Sequence, residues 1–279
     1  MRKLLATLTI TLSVAIAVAA PAPAEPGVEP AGAVALPDGP APAWVLADLD
    51  TGRILASRNP YEPHAPASTI KVLLAIVALD GLNLNSAIVA RPANTDVECS
   101  CAGIKPGHVY TARQLLDGLL LVSGNDAANT LADMLGGFSV AVAKMNAKAY
   151  QLGARSTRAA TPSGLDGPGM ESVSTPNDLA VIFRAALRYA MFARIVHQNS
   201  ALFPDGNGYK RIDNQNNELF DSYPGTLGGK TGYTNLARET FVGAAQRNGR
   251  RLVVAQMYGS GDLYGQAIGL FDWGFSQYR

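Results

Sequence analysis

Two regions of this chain of 279 residues carry the hydrophobic pattern of β-hairpins. In the first, a mostly apolar run at residues 44–49 is followed by the turn sequence Asp50-Thr51-Gly52 and a second short apolar run. In the second, apolar runs at residues 240–245 and 251–258 flank Asn248-Gly249, a dipeptide that a type I′ turn favours. We therefore predict antiparallel strands near both ends of the folded part.

The middle of the chain has the pattern of helices instead. Residues 69–79 are apolar nearly all round, with Lys71 as their only charge, which predicts a buried helix rather than an amphipathic one. The other predicted helices cover residues 111–122, 126–135, 139–152, 176–189 and 264–275. Strands at both ends with helices between them predict an α+β fold. In this fold, helices flank an antiparallel sheet built from N- and C-terminal strands, and an all-helical region lies between those strands in the chain.

The N-terminal segment has the pattern of an export signal. Arg2 and Lys3 precede an uncharged run over residues 4–20, and the small residues Ala22-Pro23-Ala24 follow. A basic start, an apolar middle and small residues at the end are typical of secretory signal peptides, and the run is short for a membrane span. We predict a signal peptide over residues 1–24, cleaved after Ala24. Retention of the segment as a membrane anchor is the alternative.

Residues 25–42 are rich in Pro and Gly, which do not form a regular strand ladder, so we predict a leader there. One domain then covers residues 43–279. The sequence predicts no clear membrane anchor after signal cleavage, because no second long apolar run follows residue 20.

Charge and composition exclude several classes of protein. Lys and Arg number 23 against 22 Asp and Glu, which leaves no broad basic surface for nucleic acid. The three His and two Cys have no zinc-binding spacing, so we expect no metal and no other cofactor.

Cys99 and Cys101 are separated by one residue, and such a pair meets disulfide geometry only in a bent loop. A disulfide and two free thiols therefore both stay open.

The segment Ser68-Thr69-Ile70-Lys71 begins the predicted buried helix. Residues three apart share a helix face, so the Ser68 hydroxyl and the Lys71 amine lie within reach of each other. Only apolar residues follow at 72–77, and a buried amine has a lowered pKa, which makes it a usable base. The alternative is an N-cap serine beside a lysine whose amine reaches solvent.

Two further segments carry polar groups. Ser123-Gly124-Asn125 separates two predicted helices, and capping alone also explains such a break. Gly229-Lys230-Thr231 does not fit a phosphate-binding loop, because Pro224 stands where that pattern needs glycine. As an edge strand, this second segment would let a substrate backbone approach and would offer a cation and a hydroxyl to a carboxylate. A plain glycine-rich loop is the alternative.

In combination, the order Ser-x-x-Lys, Ser-x-Asn, Lys-Thr-Gly resembles the penicillin-binding and serine β-lactamase superfamily. Within it, the chain is similar to the D-alanyl-D-alanine carboxypeptidases of the low-molecular-mass penicillin-binding type. The closer likeness lies in runs at residues 66–71, 121–128 and 161–166, and in the short matches at 174–175 and 178–180.

The resemblance implies a serine β-lactamase/transpeptidase-like fold and removal of the terminal D-alanine from peptidoglycan stem peptides. It implies an ester intermediate on Ser68, with Lys71 as base and Ser123 as proton relay to the leaving amine. Asn125 would hold the substrate amide, and the backbone N–H groups of Ser68 and Tyr233 would form the oxyanion hole. The remaining substrate-binding residues that it implies lie on one segment, namely Lys230, Thr231, Gly232, Tyr233 and Thr234. β-Lactam antibiotics would act as inhibitors, and the protein would be secreted, periplasmic or associated with the cell wall.

The sequence also departs from relatives in this superfamily. Gly124 stands where class A β-lactamases have Asp, and no Glu-x-x-Leu-Asn segment lies between residues 161 and 177. A β-lactamase is therefore the first alternative, and a non-catalytic protein that binds penicillin or cell wall is the second. Arg238 stands where the family often has a small residue, and we expect it to form a surface ion pair; a contribution to binding the substrate carboxylate is the alternative. The second β-domain and amphipathic anchor of many family members have no counterpart among these residues.

Overall fold

A computed structural model of the protein describes residues 35–277. The predicted signal peptide and most of the predicted leader lie outside these residues. The strands are β1 (Ala43–Asp48), β2 (Ile54–Arg58), β3 (Ala87–Val89), β4 (Val109–Thr111), β5 (Ser200–Asp205), β6 (Gly208–Asp213), β7 (Thr226–Thr234), β8 (Arg238–Arg247) and β9 (Arg250–Gly259). The helices are α1 (Lys71–Gly81), α2 (Pro92–Thr95), α3 (Ala112–Leu121), α4 (Asn125–Met134), α5 (Phe138–Leu152), α6 (Pro176–Ala186), α7 (Ala190–His197), α8 (Asn217–Ser222) and α9 (Leu263–Ser276).

The main sheet joins the two ends of the folded chain. Its five strands have the order β2-β1-β9-β8-β7 and are antiparallel, so β1 pairs with both β2 and β9. Asn248 and Gly249 connect β8 to β9 with positive φ angles of 50° and 77°, as a type I′ turn requires. Both predicted hairpins and the α+β fold are confirmed.

Most predicted helices are confirmed, but the one at residues 176–189 was wrong at its end. α6 stops at Ala186, a turn follows in which the N–H of Tyr189 donates to the carbonyl of Ala186, and α7 begins at Ala190. The β5–β6 hairpin was not predicted. Its outer face carries Leu202 and Tyr209, which are exposed, so the alternation of apolar and polar residues is weak there.

Two apolar clusters cover the faces of the main sheet. Successive residues of β1 point to opposite faces, with Val45 in the cluster that contains α1, α3 and α6. Trp44 and Leu46 belong to the other cluster, which contains α9. Since β1 is buried on both faces, it carries a continuous apolar run. As predicted, α1 is buried almost all round and lies inside the larger cluster.

The last residues of the predicted leader pack against α9. Ala41 is fully buried, its N–H donates to Gln266 Oε1 at 2.9 Å, and Gln266 Nε2 donates back to the Ala41 carbonyl at 3.3 Å. Within residues 35–277, no helix is long and apolar enough to cross a membrane.

The buried α1 helix gives a stability prediction. Leu73 is 0% exposed within the larger cluster, so Leu73→Ala removes apolar contacts and leaves a cavity, and we expect the free energy of unfolding to fall by about 2–5 kcal/mol. Urea denaturation followed by circular dichroism measures this loss. The matched control is Leu202→Ala at a 70% exposed position, which should change the same quantity by less than about 0.5 kcal/mol. Equal losses in the two variants would contradict the described core.

Candidate active site

Ser68 lies in a single 3₁₀ turn, Ala67–Ile70, that leads directly into α1. Among residues 65–70 it is the one that is not buried. The preceding residue, Ala67, has a φ of 48°, in the left-handed region that non-glycine residues rarely occupy. In a 3₁₀ turn, side chains three residues apart are eclipsed, which places the side chains of Ser68 and Lys71 together. The first turn is thus 3₁₀ rather than α-helical, but the predicted contact is present.

The Lys71 amine is fully buried and surrounded by oxygen atoms. Its Nζ lies 2.7 Å from Ser68 Oγ, 2.8 Å from the Ser123 carbonyl, 3.2 Å from Ser123 Oγ and 2.6 Å from Asn125 Oδ1. A charged ammonium has three hydrogens and no lone pair, so it cannot donate fully to four oxygens. A neutral amine has one lone pair and two hydrogens, so it can instead accept a hydrogen bond from the Ser68 hydroxyl and donate to two of the other three oxygens.

Burial favours this neutral form of Lys71. Desolvation lowers the pKa of its amine well below the usual value, and the positive charge of Lys230 lowers it further. The carboxylate of Asp126 acts in the opposite direction but is the smallest of the three influences. The predicted burial of the Lys71 amine is therefore present, and its electrostatic surroundings suit a base.

Ser123 and Asn125 form the corner between α3 and α4. Ser123 has a φ of 59°, a second left-handed non-glycine residue in this site. Asn125 is almost completely buried, with its Oδ1 facing Lys71 and its Nδ2 donating to the carbonyl of Glu98 at 2.7 Å. The amide that was expected to hold substrate therefore also orients the lysine.

Gly124, between these two residues, is explained by a close approach. A Cβ atom at this position would lie 3.0 Å from the backbone nitrogen of Ala102 and 2.8 Å from Asp126 Oδ1. There is no room for a side chain as large as aspartate. The departure from the class A β-lactamase pattern is thus a packing requirement of the neighbouring loop.

β7 forms the opposite wall of the site. Lys230 is 1% exposed, its Nζ donates to the Thr231 carbonyl at 2.7 Å, and burial lowers its pKa to about 7. A Cβ added to Gly232 would lie 2.7 Å from the backbone nitrogen of Ser68 and 2.6 Å from Thr240 Oγ1. Glycine at this position therefore allows the strand to approach the backbone of Ser68 closely.

Thr234, at the end of β7, is not brought to the same place as the other predicted residues. Its hydroxyl donates to Asp166 Oδ2 and accepts a hydrogen bond from the Ala237 N–H at 3.0 Å. Thr234 lines a cavity of about 370 Å³ that is separate from the cavity lined by Ser68.

Arg238, the first residue of β8, is exposed and forms no ion pair with any residue in the described range 35–277, so the expected surface ion pair was wrong.

A cavity of about 640 Å³ lies between the corner and β7. Five predicted site residues line it: Ser68, Ser123, Thr231, Gly232 and Tyr233. The predicted residues Lys71, Asn125 and Lys230 are buried behind these walls. Sequence reasoning missed further lining residues from four separate segments, including Ser100, Gln215, Glu218, Glu239 and Tyr264. These lie in loops or on separate elements, so no spacing pattern connects them to the motifs.

The two cysteines are joined in a disulfide, which resolves the alternatives left open by the sequence. The loop that contains them lies against the corner of Ser123 and Asn125. Among residues 35–277, no three His, Cys, Asp or Glu side chains lie together in a group that could hold a metal ion.

Comparisons with known proteins agree with this geometry. A family model described as D-alanyl-D-alanine carboxypeptidase matches residues 31–260. The chain is 64% identical to the D-alanyl-D-alanine carboxypeptidase DacB2 of Mycobacterium tuberculosis, over 99% of this chain and 97% of that protein. It is 28% identical to the D-alanyl-D-alanine carboxypeptidase DacF of Bacillus subtilis, over 86% of this chain but only 63% of that longer protein.

Solved structures show the same similarity. A crystal structure of a D-alanyl-D-alanine carboxypeptidase from Mycobacterium tuberculosis has a TM-score of 0.86 and 63% identity, covering 90% of this chain and 96% of that one. A Streptomyces DD-transpeptidase has a TM-score of 0.81 and 28% identity, covering 87% of this chain and 100% of that one. The predicted family resemblance is confirmed.

The buried Lys230 predicts how stability depends on pH. Its pKa is about 7 in the folded chain and 10.5 in the unfolded chain, so between these values the unfolded state binds the additional proton. The free energy of unfolding therefore rises with pH across this window, by at most about 1.4 kcal/mol per pH unit. Lys230→Met removes this contribution.

Urea denaturation between pH 6 and pH 9.5 measures the difference between the wild type and Lys230→Met. We expect a constant difference below pH 7, where Lys230 is protonated in both states, and a difference that grows in favour of the wild type at higher pH. Parallel curves over the whole range would show that Lys230 is not desolvated.

Proposed function

The chain belongs to the D-alanyl-D-alanine carboxypeptidase family, and from this premise we propose that it cleaves the terminal D-Ala-D-Ala bond of peptidoglycan stem peptides through an ester on Ser68. The family identifies the chain as a hydrolase of the carboxypeptidase type. The observation that supports the ester mechanism is the 2.7 Å distance between Ser68 Oγ and the buried amine of Lys71. A hydroxyl needs a neighbouring base to act as a nucleophile near neutral pH.

In the first step, Ser68 Oγ attacks the carbonyl carbon of the penultimate D-alanine, and the Lys71 amine takes the hydroxyl proton. The C–N bond to the terminal D-alanine then breaks, and Ser123 relays the proton from Lys71 to the leaving amine. The 3.2 Å distance between Lys71 Nζ and Ser123 Oγ supports this relay. Water hydrolyses the resulting ester and regenerates the Ser68 hydroxyl.

We assign the developing oxyanion to the backbone N–H groups of Ser68 and Tyr233. The close approach of Gly232 to the Ser68 nitrogen supports this assignment, because it brings the two backbones together at the cavity. Backbone donors held in place before the reaction need no reorganisation when negative charge develops. Removal of one such donor slows another, unrelated serine hydrolase by about 10²–10³-fold.

We assign the terminal carboxylate of the substrate to Lys230 and Thr231. A carboxylate bound near Lys230 would favour its charged form and offset its desolvation. Thr234 lines a second cavity and its hydroxyl donates its proton to Asp166 Oδ2, so we leave it out of this assignment. Asn125 would offer its amide to the substrate from behind the corner.

Penicillins carry a reactive amide carbonyl near a carboxylate, so we propose that they acylate the same serine. The lifetime of this adduct distinguishes the carboxypeptidase from the β-lactamase alternative, in which the ester would hydrolyse quickly.

We also propose that residues 1–24 direct export, because peptidoglycan lies outside the cytoplasm and the segment has the pattern of a signal peptide.

The nucleophile is tested with Ser68→Ala. We expect the wild type to release D-alanine from a peptide ending in two D-alanines and to form a long-lived adduct with labelled penicillin, located on Ser68 by peptide mass. In Ser68→Ala the adduct should be absent and D-alanine release should fall at least about 10³-fold. The control is Ser260→Ala, an exposed serine outside the cavity, which should behave as the wild type. An adduct on folded Ser68→Ala would refute the assignment.

The oxyanion assignment is tested with Gly232→Ala. The added Cβ would meet the Ser68 nitrogen at 2.7 Å, so either β7 or the Ser68 turn must shift. We expect the acylation rate with fluorescent penicillin to fall about 10²-fold or more. Gly208→Ala is the matched control, since its Cβ would meet only the Asp205 carbonyl at 4.0 Å. Acylation of Gly232→Ala at the wild-type rate would contradict the close approach on which this role depends.

A further inference from the structure

A short loop closed by a disulfide lies beside the site and has no role in the mechanism described so far. We define the disulfide loop as residues 98–104. The disulfide joins Cys99 to Cys101 and so encloses the single residue Ser100, which lines the main cavity. Cys99 is exposed to solvent and Cys101 is half-buried, so reagents in solution can reach the bond.

The first half of the disulfide loop holds Asn125 and its neighbours through three hydrogen bonds. The Asn125 N–H donates to the Ser100 carbonyl at 2.6 Å, and Asn125 Nδ2 donates to the Glu98 carbonyl at 2.7 Å. The Ser100 hydroxyl donates to the carbonyl of Val122 at 3.0 Å. The residues on both sides of Ser123 are therefore bound to the segment that the disulfide closes.

The second half of the loop is anchored by one buried carboxylate. Asp126 Oδ1 accepts a hydrogen bond from the Ala102 N–H at 2.8 Å, and Asp126 Oδ2 accepts from the N–H groups of Gly103 at 2.8 Å and Ile104 at 2.9 Å. Hydrogen bonds to a charged acceptor are stronger than neutral ones. The loop is thus fixed at the start of α4, immediately beside the corner.

This support matters because the corner is strained. Ser123 has a left-handed backbone, which costs free energy and persists only where the surroundings determine it. Asn125 places its Oδ1 2.6 Å from Lys71 Nζ, and its Nδ2 is the atom that binds the Glu98 carbonyl. A change in the conformation of the loop would therefore shift both Ser123, which is the proton relay, and Asn125, which orients the Lys71 amine.

We propose that the disulfide loop positions Ser123 and Asn125, and that reduction of the Cys99–Cys101 bond slows acylation of Ser68. This inference rests on the function proposed above. A dithiol supplies the two electrons and two protons that convert the disulfide to two thiols, and the dithiol itself becomes a cyclic disulfide. With the bond open, residues 99–101 are no longer held in a closed bend, and the carbonyl of Ser100 is free to leave Asn125.

The test compares the oxidised wild type, the wild type reduced with dithiothreitol, and Cys99→Ser/Cys101→Ser. Fluorescent penicillin, used over a range of concentrations, separates the binding constant from the acylation rate constant. We expect the acylation rate constant to fall about tenfold in the reduced and double-substituted proteins, the effect of losing one good transition-state interaction. The binding constant should change less than the acylation rate constant, because the carboxylate is assigned to β7, which has no hydrogen bond to the loop, and only the contact with the Asn125 amide would be weakened.

Two controls separate positioning from damage to the fold. Treatment of Cys99→Ser/Cys101→Ser with dithiothreitol should change nothing, and reoxidation of the reduced wild type with oxidised glutathione should restore its acylation rate. A rate that does not recover, or a loss confined to the binding constant, would overturn the inference. If the double variant fails to fold, as judged by its thermal melt, the reduced wild type alone tests whether opening the disulfide slows acylation.

The outcomes also separate this inference from the proposed function. If the oxidised wild type forms no adduct on Ser68, the proposed function fails. If it forms the adduct and the folded, reduced protein forms it at the same rate, only the role of the disulfide loop fails.

Discussion

The contact between the Ser68 hydroxyl and the buried Lys71 amine is the interaction on which the rest of the site depends. It requires an amine without a neutralising carboxylate in contact with it, held among oxygens from three separate positions in the chain. A lysine in this position is costly to bury when charged, and the protein lowers this cost by favouring the neutral amine. The same burial that disfavours the ammonium makes the amine able to take a proton.

Holding this contact requires segments far apart in the sequence to approach closely. Glycine is found at two of these close approaches, Gly124 against the loop around Ala102 and Gly232 against the backbone of Ser68. Of the six non-glycine residues with left-handed backbone in residues 35–277, two, Ala67 and Ser123, adjoin or belong to the reacting groups. At these two positions local strain lies where functional geometry is needed, and the surrounding hydrogen bonds and packing maintain it.

Sequence reasoning predicted the two hairpins of the main sheet, the long helices and the Ser68–Lys71 contact, because each depends on local periodicity or on residues within one turn. It did not predict the break between α6 and α7, where the helical pattern continues while the chain turns. It missed the hydrogen bond between Thr234 and Asp166 and the hydrogen bond from the Asn125 N–H to the Ser100 carbonyl. These contacts join residues that share no period or motif, and only the folded chain brings them together.

The pairing of β1 with β9 has a consequence for the order in which this structure can form. Ala43 lies opposite Met257 and Asp48 lies opposite Leu252, so the first strand in the chain pairs with the last strand, which is at the centre of the sheet. Contacts over such long separations are slow to form, because much of the chain must be ordered before they are made. β7, which bears Lys230 and Gly232, joins the sheet only through β8. A nascent chain therefore has no complete cavity until its C-terminal hairpin has emerged, and the reactive serine stays without its opposing wall up to that point.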